Sequence, residues 1–271
     1  MTTTTPPAPV PTPTPTPTPY RVTPARVLRA EWHKLWTLRS TWTSLILTVV
    51  LTLGTGLIIA YAYTPGDATE LDSVLMVLIG MQFSQIILGV LGILATAGEH
   101  STGLVRSTMT AVPRRLPVLW SKAGIVAAVA FTTVLLTNFL TFSLAQTFLT
   151  GTDQATSLGD PGVVTALVGN AAGLALLGVT ALAIGSMVRS VPAAIGVLIT
   201  TVMVLPEILA MLPYDVMDDI SRHFPAKALE ALTQADPAAG SASPGAALLA
   251  LALWAAAGLG AAGLLLRRRD V

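Results

Sequence analysis

Six long stretches of the chain are almost uninterrupted by charge: Trp42–Tyr63, Val74–Ala97, Ala123–Leu149, Val163–Val188, Val191–Leu212 and Ala246–Leu266. A bilayer core of ~30 Å is crossed by about 20 apolar residues in a helix, so each stretch predicts one membrane-spanning helix. The third is long enough to tilt or to extend past the hydrocarbon. Only Arg189 and Ser190 separate the fourth from the fifth. A single bent helix is excluded there, because the combined run far exceeds one crossing. Pro192 suits the first turn of the fifth span, where its missing N–H costs nothing. The pattern predicts an all-α membrane protein with six transmembrane helices.

Ahead of the first span, residues 25–40 read as an amphipathic helix. Leu28, Trp32, Leu35 and Trp36 share one face, and Arg26, Arg29, His33 and Thr37 the other. Tryptophan on the apolar side and arginine on the polar side suit a helix lying in the membrane interface. Such a helix either anchors the first span or docks a partner. Residues 1–24 form a separate threonine- and proline-rich tail, with eight prolines in the first nineteen positions. That composition favours an extended, coreless segment, a disordered tail or a docking peptide. It has no apolar h-region and is not read as a signal peptide. Residues 25–271 make up the transmembrane domain.

Charge placement sets the orientation. Arg21, Arg26, Arg29, Lys34 and Arg39 precede span one; Arg106, Arg114, Arg115 and Lys122 follow span two; Arg189 follows span four; Arg267, Arg268 and Arg269 follow span six. With strict alternation these 13 of the 15 basic residues fall on one side, leaving Arg222 and Lys227 on the other with ten of the acids. Basic loops stay inside. The expectation is therefore a multi-pass cell-membrane protein with both termini cytoplasmic.

Composition narrows the chemistry. Hydrophobic residues make up 53% of the 271 and charged residues only 11%, against about 25% charged in soluble domains. The net charge of +1 indicates no general attraction to nucleic acid. The absence of cysteine excludes disulfides and thiolate sites. His33, His100 and His223 are far apart, and neither HExxH nor GxxxxGK[ST] occurs, so no metal or catalytic set emerges and ATP is not bound in the P-loop manner.

Three stretches carry a family resemblance. The first is Arg29-Ala30-Glu31-Trp32-His33-Lys34-Leu35-Trp36-Thr37-Leu38-Arg39-Ser40, running into span one. The second is Gly98-Glu99-His100-Ser101-Thr102-Gly103-Leu104-Val105-Arg106-Ser107-Thr108, then Val112-Pro113-Arg114-Arg115 and Lys122. The third is the proline-broken external connection Pro213–Pro244, whose short apolar pieces suit partial re-entry, outer-leaflet packing or a solvated loop. Over about residues 25–271 the chain resembles the permease subunits of ABC-2-type ABC transporters. The resemblance implies an exporter that binds no cofactor itself. A separate ATP-binding subunit would hold ATP and Mg, and a second permease copy would complete the pore. It assigns the contact with that subunit to Glu99, Gly103, Arg106, Arg114 and Arg115, and to the interface helix with Arg29, Glu31, Trp32, Lys34 and Trp36. Glu99 stands apart, because an acid gains nothing from the positive-inside rule.

Polar residues inside the spans are few. Gln82 and Gln85 lie in span two, and Thr133, Thr137, Asn138 and Thr141 in span three. Amides in hydrocarbon need partners, so these residues line a substrate path or bond helix to helix. Gly169 and Gly173 form a GxxxG pair that predicts close helix packing. Glu207 is the one ionisable residue within a predicted span, near its outer end. Ion-coupled carriers place ionisable groups at mid-membrane, so the pattern favours energy supplied from outside the chain over such a carrier. A membrane protein without transport is the third reading.

Single cysteines introduced into this cysteine-free chain test the orientation. Positions 68, 156 and 239 are expected to react with an impermeant maleimide from outside, and 110 and 270 only after permeabilisation. Reaction of 110 in intact cells overturns the topology.

Overall fold

A computed structural model describes residues 23–64, 72–101, 103, 115–236 and 240–268. The described residues are helical, with no strand among them. In order they form α1 (Pro24–Thr37), α2 (Arg39–Ala62), α3 (Ser73–Val77), α4 (Met81–Leu94), α5 (Ala97–Ser101), α6 (Arg115–Leu149), α7 (Val163–Val188) and α8 (Val191–Ile199). A π-helical turn (Thr200–Val204) joins α8 to α9 (Leu205–Ala210). α10 (Asp215–Ser221), α11 (Pro225–Thr233) and α12 (Pro244–Arg268) complete the chain.

Five helical stretches are long and apolar enough to cross a membrane: α2, Leu116–Leu149 of α6, α7, the continuous Val191–Ala210, and α12. This is the signature of a multi-pass membrane protein. The expected second span, Val74–Ala97, is not one helix. It is divided into α3, a turn at Leu78–Gly80, α4, a second turn at Ala95–Thr96, and α5. The first turn is closed by tight bonds, Met81 N–H to Leu78 O at 2.8 Å and Gln82 N–H to Ile79 O at 3.1 Å. Packing explains it: a β-carbon on Gly80 would lie 2.6 Å from the Thr52 Cα of α2.

α7 occupies the centre. Its most apolar window is 78% buried, against 28% for α2 and 22% for Val191–Ala210. It packs against α4, α6, α8, α11 and α12. Small side chains make this possible, since apolar attraction between helices vanishes in lipid and close packing must replace it. Where α4 crosses α7, a β-carbon on Gly92 would stand 2.2 Å from the Gly178 carbonyl oxygen. A hydroxyl bond from Thr96 to Leu182 O, 2.9 Å, fastens the same crossing. The GxxxG pair serves a different neighbour: Gly169 and Gly173 face Leu232 and Leu229 of α11. The connection between Val191–Ala210 and α12 is therefore not a plain solvated loop: Ala228, Leu229, Ala231, Leu232 and Thr233 are buried, and α11 packs against α7 and α12.

The π turn in Val191–Ala210 precedes Pro206, whose ring lacks an N–H and crowds the carbonyl four residues back. Widening to Leu205 N–H bonded to Thr200 O accommodates it. At the far end, Glu207 is exposed and paired with Lys227 at 2.9 Å, and that partner holds the Lys227 ammonium above its usual pKa.

Asp72 fastens the end of the bundle opposite α1. One carboxylate oxygen accepts from Val74 N and Leu75 N at 2.9 and 3.0 Å, capping α3. The other accepts from Ala235 N and Asp236 N, both at 3.0 Å. This meets donors at a helix start that would otherwise lack partners.

Gly92→Ala is expected to destabilise the bundle by about 1–3 kcal/mol, because neither backbone can yield at the crossing. Gly124→Ala, whose new methyl meets nothing within 4 Å, is expected to leave the melting temperature in detergent unchanged or slightly raised. Equal melting of the two variants would contradict the crossing.

Candidate functional site

α1 begins at Pro24, which suits the first helical turn. Its face toward the bundle is Val27, Glu31 and Leu35, spaced i, i+4, i+8. Of the apolar face read from Leu28, Trp32, Leu35 and Trp36, Leu35 packs inward, Trp36 is half-buried, and Leu28 and Trp32 are exposed. The inward stripe thus carries a carboxylate at its centre, which is stable only if partnered.

Two lysines supply the partners. Lys122, near the start of α6, is buried and places Nζ 2.5 Å from Glu31 Oε2 and 2.7 Å from Glu99 Oε1. Lys34, one turn along α1 from Glu31, places Nζ 2.9 Å from Glu31 Oε1 and 2.6 Å from Glu99 Oε1. The four groups close a ring of alternating sign, Glu31–Lys34–Glu99–Lys122, which sums to zero charge. Desolvating four ions is costly, and complete pairing of this kind is what offsets it. The ring joins three segments distant in sequence: α1, α5 and α6. The pairs Glu99–Lys34 and Glu31–Lys122 are separated by 65 and 91 residues.

Burial alone would raise the Glu99 pKa, but Lys122 and Lys34 outweigh it and hold the carboxyl below its usual range. Burial alone would lower that of Lys34, yet the hydrogen bonds and charges of Glu99 and Glu31 raise it above the ordinary ammonium value. A cavity of about 250 Å³ opens beside the ring, floored by Leu35, Leu94, Ile125 and Val126. Tryptophans cluster at this end. Trp32 and Trp36 meet edge to face at 5.5 Å, and Trp36 and Trp42 lie 5.1 Å apart. Trp42 Nε1 donates to Trp36 O at 3.1 Å.

Of the residues singled out by the resemblance, Glu31, Lys34 and Glu99 therefore meet in one site, with Trp32 and Trp36 alongside. Arg29 is exposed on the outer face of α1. Gly103 follows α5 with φ 75° and open space around it. Arg106 and Arg114 lie outside the described residues. Arg115 opens α6, and its side chain also lies outside them. Lys122 had no role in the sequence beyond the basic loop; its signal was its place immediately before the apolar run at Ala123.

The polar residues of the spans form a second constellation nearer the opposite end. Asn138 donates to Leu167 O at 3.0 Å and to Asn170 Oδ1 at 2.9 Å. Asn170 donates to Thr233 Oγ1 at 2.9 Å, and Thr233 to Leu229 O at 2.8 Å. This chain ties α6, α7 and α11. Thr137 and Thr141 each bond the carbonyl one turn back in α6, at 2.8 Å, the acceptor for Thr137 being Thr133. Gln85 is buried and donates to the exposed Gln82 at 2.6 Å. Asn170 and Thr233 were not anticipated, although a lone amide in an apolar span is a recognisable mark of helix-to-helix bonding. Among the described residues no cluster of three or more metal-ligating side chains occurs.

No family model matches the sequence, and no curated protein matches it.

Lys122→Met leaves two buried carboxylates sharing one ammonium and is expected to cost about 3–5 kcal/mol. Adding Glu99→Gln is expected to cost less in that background than in the wild type, since the two act in one network. Stability should also plateau at neutral pH. The depressed Glu99 contributes above the unfolded carboxyl value of about 4.3, and this is lost as pH falls through its lower folded pKa. The raised Lys34 contributes below about 10.4, and this is lost as pH rises through its higher folded value. Thermal melts of wild type and Glu99→Gln across pH check this; an unchanged acid limb in the variant would sink the assignment.

Proposed function

We propose that the chain is the permease subunit of an ATP-driven exporter of the ABC-2 type, crossing the cell membrane six times with both termini cytoplasmic. Segment 73–94 supplies the sixth crossing in interrupted form, and α1 lies in the cytoplasmic interface. A separate ATP-binding subunit supplies the energy and carries ATP and Mg, while a second permease copy completes the pathway.

The observation that carries this reading is the charge ring. It fixes α1, the segment after α4 and the start of α6 to one another at the end where the basic residues gather. One residue, Leu38, separates α1 from α2. A push on this platform is therefore delivered to α2, α4 and α6 together. Glu31, Lys34 and Glu99 serve in this reading as the seat behind the contact, and the basic loop with Gly103, Arg106, Arg114 and Arg115 as the contact itself. A second support is the position of charge. Among the described residues, the ionisable groups of the five long helices lie at their ends: Arg39, Lys122, Glu207, Arg267 and Arg268. Proton-coupled carriers relay protons through such groups at depth. The Asn138 amide is engaged between helices and the Thr137 and Thr141 hydroxyls within one, which favours packing over substrate contact for all three.

The proposal is tested by looking for an ABC ATP-binding subunit encoded next to this chain and co-expressing the two. The tagged permease is expected to capture that subunit, and the purified complex to hydrolyse ATP while the permease alone does not. Arg106→Glu with Arg114→Glu should reduce capture at least several-fold through lost charge-assisted contacts, whereas Arg222→Gln should not. Hydrolysis by the permease alone, or capture indifferent to the arginines, would overturn it.

A further inference from the structure

The cavity beside the charge ring has a chemistry of its own, independent of any transport role. Its lining combines apolar side chains with the four charges of the ring, a mixture that suits an amphiphile rather than a soluble ion. Exposed Trp32, Trp42 and Trp120 flank this end of the bundle. Tryptophan gathers at the depth of lipid headgroups, so the cavity opens at that depth. At about 250 Å³ it lies just below the range of roughly 300–1,000 Å³ that holds a drug-sized molecule. A headgroup with its first methylenes fits that size, and a whole lipid does not.

We propose that this cavity seats the headgroup of one phospholipid, with phosphatidylethanolamine preferred over other glycerophospholipids. Lys34 is the most exposed member of the ring, its side chain 27% accessible against 6–10% for the other three. An ammonium has three N–H donors, and Glu31 and Glu99 engage two. The third meets a phosphate oxygen in the cavity, whose lining also includes Ser40 and Ser101. Each Glu31 oxygen accepts one ring bond, and a carboxylate has about four acceptor positions. A primary ammonium on the headgroup uses the remainder. The lining sums to zero charge, so a zwitterion gains at both ends. A choline headgroup has no N–H to give the carboxylate. A purely anionic headgroup gains Lys34 but faces two glutamates.

The test uses the full-length chain, delipidated in detergent and titrated with phosphatidylethanolamine, phosphatidylcholine or phosphatidylglycerol of matched acyl chains. Bound lipid is counted by native mass spectrometry. The expected result is one phosphatidylethanolamine per chain, retained at least several-fold better than the other two. Lys34→Gln should weaken retention at least roughly tenfold, as loss of one charge-assisted bond implies. Because Lys34→Gln also disturbs the ring, a second variant leaves all four charges in place. Gly98 lines the cavity, and a β-carbon there meets nothing nearer than Leu94 at 3.9 Å. Gly98→Leu should fill the space and abolish retention with unchanged melting. Gly260→Leu, which adds the same bulk to open space on α12, should retain the lipid. Phosphatidylcholine or phosphatidylglycerol retained as well as phosphatidylethanolamine, or a Gly98→Leu chain that binds like wild type, overturns the proposal.

Discussion

Apolar side chains gain nothing by leaving lipid for one another, so a bundle of this composition must be held by contact distance and by polar bonds. α7 meets the first requirement through side chains too small to keep its neighbours away. Gly178 lets α4 approach to backbone contact, while Gly169 and Gly173 admit α11 on another face. Other elements then follow from where α7 has room. The broken passage through α3 and α4 can be accommodated because its buried residues lie against α7, α2 and α6. The short α11 is stable because its apolar face finds α7 and α12.

The second requirement is met differently at the two ends. At the α1 end, four full charges are placed together and neutralised within the chain. Toward the other end the buried bonds between helices run among neutral amides, a hydroxyl and backbone carbonyls, with charge confined to Asp72 and to the exposed Glu207 and its partner Lys227. The difference has mechanical content. An amide chain such as Asn138–Asn170–Thr233 has a direction fixed by the Leu167 carbonyl and does not tolerate sliding. A ring of two ammonium groups and two carboxylates is less directional, since a lysine can rotate between acceptors. The α1 end is thus firmly attached yet adjustable, and the amide-bonded end is registered.

Much of this was legible in the sequence. The bounds of α7 were read residue for residue, because an apolar run between Gly162 and Arg189 leaves no other choice. α12 and Val191–Ala210 were read to within about a turn at each end. The interruption of Val74–Ala97 was not, because hydropathy averages over a window and registers neither a turn of apolar residues nor the approach of Thr52 to Gly80. The anomaly of Glu99 was visible as an acid that membrane orientation does not need. Its partners were not, since Lys34 and Lys122 are brought to it only by the packing of α1 on α6. For α1 itself, periodicity identified the helix but not its inward face. The stripe Val27, Glu31, Leu35 becomes recognisable only once two buried cations make a buried glutamate affordable.

Asp72 carries a consequence in time. Two of its four backbone partners, Ala235 and Asp236, are synthesised 163 and 164 residues after it. At about 5–20 residues per second, that interval is roughly 10–30 s. By the last part of this period the growing chain has the whole of α7 in hand, yet one oxygen of its α3 cap still lacks its final partners. The end of the bundle opposite α1 is therefore completed late, when α11 folds back and residues 235–236 arrive, and the last loop of the protein closes a joint prepared by one of the first.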